Sequence, residues 1–392
     1  MRFKYNFLLL IVVFLYCSSE SYVDTVPPET VLTDVLALEL TVGDDEQAKD
    51  YVLAGGAQMR IAVNDEDDIY VVDDDKIKIF DKNGNGKMIL GGRGNEPGEF
   101  YRAGFPTIAP TGYLTVLDTH IDAPFNLYDP YNNFVMRKNF RTSEAREKLI
   151  AVHELRAINL EKVVSIDENE TIMEGAGLPL SREDIPGRYN ILFYENPDTL
   201  ITLAKYGVMN YVTGGGLGSY IPDLGDFYWD ISADREIIYT HTWYDRESNK
   251  DRQHYILHIF SLDTFEKTCI VHAYKPVKFQ ISGEGIAQIR DQRIRDFETA
   301  KIEAAGKAEY YAPLQLILVD DTFVFAFTYE QNSAGEFLVD IFDTKTAVFL
   351  RSAYFSFRTE LIENGYAYNI INAPDTSPKI EKYRIDPAVY GR

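Results

Sequence analysis

Between Ile61 and Phe100 the chain alternates short apolar runs with turns of Asp, Asn and Gly: Ile61 to Val63, Ile69 to Val72, Ile77 to Phe80 and Lys87 to Leu90. Short runs rich in Ile, Val, Tyr and Phe and punctuated in this way predict strands, and four in succession predict one antiparallel meander. The pattern recurs, most clearly in the third strand and the turn after it. Its copies are Ile79-Phe80-Asp81, Leu127-Tyr128-Asp129, Phe193-Tyr194-Glu195, Ile259-Phe260-Ser261 and Ile341-Phe342-Asp343, with a degenerate sixth at Lys382-Tyr383-Arg384. Second strands are expected at Ile69 to Val72, Tyr113 to Leu117, Thr171 to Glu174, Ile237 to Thr240, Phe323 to Phe327 and Tyr366 to Ile370. First strands are expected at Ile61 to Val63, Thr107 to Ala109, Val163 to Ile166, Trp229 to Ser232, Leu316 to Val319 and Leu361 to Ile362.

Five copies continue into a fourth strand, as in Phe134 to Phe140 and Ala347 to Tyr354, and the sixth lacks one. At the other end of the chain, Val31 to Val42 is strand-like and has no hairpin partner beside it. Pairing this segment with the sixth copy removes two exposed edges and closes a ring. The expectation is therefore an all-β fold: a six-bladed β-propeller of four-stranded antiparallel blades, with the N-terminal strand completing the C-terminal blade. Two separate β-sandwiches would require a polar linker near mid-chain, and none stands out.

Composition fits this and narrows the partners. At 13% aromatic, with 27 Tyr and 23 Phe, the chain favours strands over helices. A formal charge of −22, from 39 basic and 61 acidic residues, repels polyanions, so nucleic acid is not an expected partner. Arg2 and Lys4 precede an apolar run from Phe7 to Leu15 that is too short to span a bilayer, the pattern of a secretory signal. Cys17 follows at once and is read as a lipidation site, although Tyr16 stands where a small residue is expected; cleavage near Ser19 or Ser21 is the alternative. The expected organisation is residues 1–21 as signal, 22–30 as a tether containing Pro27 and Pro28, and 31–392 as the propeller. Cys269 is read as a small buried residue on a strand.

The segment from Ile69 to Phe100, IYVVDDDKIKIFDKNGNGKMILGGRGNEPGEF, resembles an NHL-type blade, chiefly through Gly92, Gly94, Pro97, Gly98 and Phe100 after the fourth strand. It carries Lys76 where that family usually has Arg. With the signal and the closing strand, it resembles the six-bladed propeller lipoproteins of Bacteroidetes. The resemblance implies the scaffold and a cell-envelope location, with the membrane reached only through a lipid anchor, and supplies no ligand.

In a meander the two kinds of connection lie on opposite faces. First-to-second and third-to-fourth turns are short, whereas Glu174 to Asn190, Tyr206 to Phe227, His241 to His254 and Lys275 to Pro313 are long and share a face. Long connections on a rigid scaffold are the expected place for binding residues. Ile289 to Ala308 has helical composition, with Ile294, Phe297 and Ile302 near helix spacing, and is expected to lie on that face. The ligand candidates are Arg60, Arg102, Phe105, His120, Asp122, Tyr228, Trp229, His241, Trp243, Tyr244, Tyr310, Tyr311 and Tyr329. Exposed rings would stack on sugars or peptides, and Arg would clamp carboxylates.

Other chemistry is weaker. Asp81 to Gly86 opens like a calcium loop, but Gly92 stands where the bidentate Glu belongs, and Asn-Gly marks a hairpin. The runs Asp65 to Asp68 and Asp73 to Asp75 read as solvated turns, a divalent cation being the alternative. Arg60, Pro106, Lys162, Tyr228, Gln315 and Glu360 begin the innermost strands and form no carboxylate cage. Gly214 to Gly218 lacks the Lys-Ser/Thr of a phosphate loop. His153, His254, His258 and His272 are scattered, and no catalytic triad is evident in the order of residues. The leading expectation is a binding module for a glycan, a peptide or an envelope protein, with no required cofactor; the alternative is a metal-dependent hydrolase or lyase centred in the channel.

Overall fold

Six four-stranded antiparallel meanders arranged as blades make up the computed structural model, which describes residues 9–10, 20–21, 30–43, 50–55, 59–119, 124–181, 186–214, 217–249, 252–280, 288–372 and 377–392. Blade I comprises Arg60–Val63, Ile69–Asp73, Lys76–Phe80 and Gly86–Gly91. Blade II comprises Ala103–Ile108, Leu114–Asp118, Pro124–Tyr128 and Phe134–Asn139. Blade III comprises Leu155–Ser165, Thr171–Pro179, Tyr189–Glu195 and Thr199–Gly207. Phe227–Ile231, Glu236–His241, Arg252–Ser261 and Lys267–Ala273 form blade IV, and Leu314–Asp320, Phe323–Gln331, Phe337–Asp343 and Val348–Phe355 form blade V. Blade VI takes Leu361–Glu363, Tyr366–Ile371 and Lys379–Ile385 from the C-terminal end, and its outer strand is Leu36–Val42. That strand pairs antiparallel with Lys379–Ile385, from Val42 opposite Ile380 to Leu36 opposite Ile385, and closes the ring as the sequence leads one to expect.

The middle strands of a blade are covered on both faces, which is why they read as continuous apolar runs rather than alternating ones. Ile69–Asp73, Leu114–Asp118 and Pro124–Tyr128 are buried throughout. One apolar cluster fills each gap between neighbouring blades. Val42, Tyr368 and Ile380 of blade VI pack with Val63, Ile69, Val71 and Phe80 of blade I, so the closing strand also seals the last gap.

The Asp81 turn is a hairpin: Asp81 Oδ1 accepts from the N–H groups of Asn83 and Asn85, each at 2.9 Å, and Gly84 supplies the positive φ of +84°. Asp129 makes the same turn with Tyr131 and Asn133. In blade I a buried Lys78 Nζ lies 2.6 Å from Asp73 Oδ2 and donates to Val52 O at 2.5 Å, while Asp73 Oδ2 accepts from Ala54 N at 2.9 Å. This pair straps the segment 50–55 to the blade.

Among the described residues two α-helices interrupt the ring. Helix α1, Glu144–His153, joins blades II and III; Ser143 caps it by accepting from Arg146 N, and its buried Ala145 and Leu149 pack in the gap between those blades. It is absent from the sequence-based expectations. Helix α2, Gln292–Ala305, lies within the expected 289–308 span. Two short parallel strands, Leu9–Leu10 beside Thr199–Leu200 and Glu20–Ser21 beside Cys269–Ile270, extend blades III and IV. Cys17, His120 and Asp122 lie outside the described residues.

Candidate functional site

Blade topology places the second-to-third and blade-to-blade connections on one face, and most of them carry structure of their own. Strands of blade III extend to Pro179 and resume at Tyr189, so that connection is shorter than the sequence suggests. Between blades III and IV lies a hairpin, Tyr211–Gly214 with Leu217–Tyr220, so Gly214, Leu217 and Gly218 of the glycine-rich stretch are strand residues. Helix α2 packs directly on this hairpin, for a Cβ on Gly214 would come within 3.0 Å of the α2 backbone at Asp296 and Phe297. Ile221, Leu224 and Ala305 form a small apolar cluster there; Ile294 is exposed and is not an anchor. Leu180, Met209, Tyr211, Leu217, Trp243, Tyr244 and Tyr310 also expose large apolar surface on these connections.

The turn after the second strand of blade IV is held by one carboxylate. Asp245 accepts from His241 N at 2.7 Å and Tyr206 Oη at 2.8 Å, and its Oδ1 lies 3.0 Å from His258 Nε2. Burial works against this carboxylate, yet His258 and the other donors hold it below the ordinary range. His258 Nδ1 lies 3.1 Å from Cys269 Sγ. Cysteine, histidine and carboxylate are thus aligned, but Cys269 is 1% exposed and offers no free thiol, and the alignment braces the turn. The Tyr206 ring packs on His241 and Tyr244, with centroids 5.0 and 5.7 Å away. Burial lowers the His241 pKa to about 4, so the ring is neutral at ordinary pH, and its Nδ1 accepts from Trp243 N at 3.2 Å. Trp243 and Tyr244 are 39% and 42% exposed, and the Arg246 guanidinium sits 4.4 Å from the Trp243 ring. The rings are therefore fixed from behind and open in front.

Beside them stands Asp226. Its N–H donates to Thr242 Oγ1 and its carbonyl accepts from Thr242 N, at 3.0 and 2.9 Å, while Gly225 backs onto Trp243. Burial, then the negative charges of Glu174 and Glu161, push the Asp226 pKa up to about 7 against the opposing Phe227 N–H and Arg188. Glu174 is buried, accepting from Asn190 Nδ2 at 3.1 Å and Trp229 Nε1 at 2.9 Å, and burial raises its pKa too. Lys162 Nζ covers the Trp229 ring at 4.4 Å and donates to Trp229 O at 2.8 Å. A weakly acidic carboxyl at a half-buried mouth can accept or donate a hydrogen bond near neutrality.

The channel through the ring holds a cavity of about 700 Å³ lined by innermost strands and the turns that follow them. Arg60, Phe105, Pro106, Lys162 and Glu360 line it at the long-connection end. Among the described residues no three His, Cys, Asp or Glu side chains converge as metal ligands.

The candidates chosen from sequence thus fall into distinct places. Trp243, Tyr244 and Tyr310 are exposed. Tyr311 and Tyr329 stack at 4.3 Å, and Tyr329 Oη donates to Asp223 at 2.8 Å. Arg60 lies over Phe105 at 5.0 Å in the channel wall, and Arg102 is exposed above the Asp118 carboxylate that accepts from its N–H. Tyr228 is half-buried near Asp226 and Arg358. Two expectations of open rings are corrected: Trp229 and His241 are 4% and 3% exposed, because each faces the gap between blades III and IV or the Asp245 turn. Glu174, Asp226 and the Asp245 network escape the sequence reading, since their partners come from strands up to 55 residues away.

No family model matches the sequence, and no curated protein matches it. Among solved structures, the chain is similar to a Bacteroides fragilis protein described as exported, at 9% identity over 92% of this chain and 98% of that one, TM-score 0.46. It is also similar to a gluconolactonase of Xanthomonas campestris, at 9% identity over 85% and 87% with TM-score 0.40, and to the polysaccharide lyase Uly1, at 11% identity over 83% and 77% with TM-score 0.43. At these values the likenesses carry no inference about ligand or activity.

Proposed function

We propose that this propeller is an exported, lipid-anchored binding protein that takes a glycan on its long-connection face. The observation that carries the reading is the Trp243–Tyr244 pair, braced from behind by Asp245 and Tyr206 and adjoined by the half-buried Asp226. Sugar rings offer apolar C–H faces to aromatic planes and hydroxyls to carboxyl groups, which is the mix found here. Export and acylation of Cys17 rest on the basic start and apolar run of residues 1–17. The resemblance of Ile69 to Phe100 to an NHL-type blade agrees with an envelope scaffold.

The test is a glycan array probed with the mature protein, followed by calorimetry of the best oligosaccharide. Replacing Trp243 and Tyr244 by Ala should remove about 1 kcal/mol per ring, or on the order of 30-fold in affinity together. An unchanged affinity would move the site off this face, and a ligand found only among peptides would replace the glycan.

A further inference from the structure

Around the Trp243–Tyr244 pair, two basic side chains stand apart from the rest. Arg188 Nη2 lies 3.4 Å from Glu161, and Lys162 Nζ lies 3.6 Å from Asp230, so both are engaged by carboxylates. Arg246 and Lys205 have no ion-pair partner among the described residues, and Glu154 acts on Lys205 only from longer range. Each sits over an aromatic ring instead. The Arg246 guanidinium lies 4.4 Å from the Trp243 ring, and Lys205 Nζ lies 4.3 Å from the Tyr189 ring and 3.3 Å from His153 O. A ring holds a cation through its quadrupole without neutralising it. The N–H donors pointing away from the ring stay available to an anion.

The two cation–ring pairs flank one surface. Lys205 and Tyr189 are diagonal neighbours on the outer strand pair of blade III, where Ile191 is opposite Lys205 and Gly207 is opposite Tyr189. Tyr189 lies close enough to Tyr244 to act on its hydroxyl, and Trp243 adjoins Tyr244 in the chain. The order along the surface is therefore Lys205, Tyr189, Tyr244, Trp243, Arg246: a cation, three rings and a cation. Lys205, Tyr244 and Trp243 are exposed, and Tyr189 and Arg246 are half-buried. Little negative charge opposes them at close range. Asp245 is buried with its Oδ1 3.0 Å from His258 Nε2, and Asp226, with a pKa of about 7, is partly protonated at neutrality. The formal charge of −22 is distributed over the whole chain. Exposed charges more than about 8 Å from a ligand are largely screened at physiological salt.

We propose, resting on the glycan reading above, that the oligosaccharide taken by this face is acidic: a chain containing hexuronate units, whose carboxylates meet Arg246 and Lys205. The sugar rings between them lie on Trp243, Tyr244 and Tyr189. The planar guanidinium fork of Arg246 matches the two oxygens of a carboxylate, and the Lys205 ammonium supplies a point charge at the other end. The rings supply the apolar contact that any sugar would use, and the cations decide which sugar is preferred. A single uronate reaches only one of the two cations, so a chain binds more tightly than its monosaccharide.

Calorimetry of the mature protein with oligosaccharides of galacturonate, glucuronate and mannuronate, each beside its carboxyl-reduced counterpart, tests this. At least one acidic chain should bind saturably, and reducing its carboxylates to alcohols should weaken it by about tenfold or more. Arg246→Gln and Lys205→Gln should each weaken the acidic chain by about fivefold and the reduced chain much less. Each should also flatten the fall in affinity between about 0.05 M and about 0.3 M salt. Equal affinity for acidic and reduced chains, acidic binding unaltered in both variants, or binding confined to sulfated oligosaccharides would each overturn the proposal and leave the glycan reading standing. Neutral glycans bound on the array with none of the acidic chains bound would do the same. Should no glycan of any kind bind, the glycan reading fails, and the acidic class fails with it.

Discussion

Replacing Asp226 by Asn probes the mouth of the site without altering its shape. The Asn side-chain oxygen still accepts from Phe227 N, a bond of 2.8 Å in the wild type, so only the charge is removed. The rise from 3.8 to about 7 corresponds to about 4 kcal/mol between the two protonation states. Solvent at the half-buried mouth screens this to about 2 kcal/mol. Because the folded pKa is raised, the carboxyl favours the folded state fully below its unfolded value and loses that contribution as pH rises through about 7. The variant should therefore be more stable than wild type by about 2 kcal/mol at about pH 8.5, with the difference vanishing near about pH 4. Urea denaturation followed by fluorescence of the buried Trp229 reads this directly, and taking the difference between the two proteins cancels other titrating groups. Parallel behaviour at both pH values, or a less stable variant in alkali, would refute the account of Asp226.

Lys78→Met leaves Asp73 buried without its cation and should cost about 3 kcal/mol in urea denaturation, with new proteolytic cutting in 50–55. Trp229→Phe removes the 2.9 Å bond to Glu174 and should lower stability by about 1–3 kcal/mol; Glu174→Gln in the same chain should recover part of it. Deleting residues 1–43 removes the strand opposite Lys379–Ile385 together with Val35 and Val42. Size-exclusion chromatography should then show association through the open blade edge rather than a monomer.

The ring was legible because its signal is local and repeated. Five of the six third strands carry the same apolar-aromatic-polar step, and two unpartnered edges at opposite ends of the chain have one economical pairing. Helix α1 was missed although its marks are present: Ser143 at the cap, Glu144 in the first turn and Lys148 one turn on, 2.6 Å from Glu144. Its short span was hidden in a connection between two repeats. Trp229 and His241 illustrate the harder limit. The sequence suggests a rim for both, whereas Trp229 lies mid-strand and His241 ends its strand, and only the packing of blade IV against blade III decides that their rings turn inward. Glu174 and Asp226 carry no local mark, because their properties arise from burial and, for Asp226, from the nearby Glu174 as well.

The most direct measurement is hydrogen–deuterium exchange of the mature protein with and without a saturating oligosaccharide chosen from the array. Slower exchange in 207–224, 241–246 and 292–311, with the short turns at Asn64 to Asp68 and Ala109 to Gly112 unchanged, is the predicted result. Protection confined to the short turns or the innermost strands would contradict the assignment of glycan binding to the long-connection face.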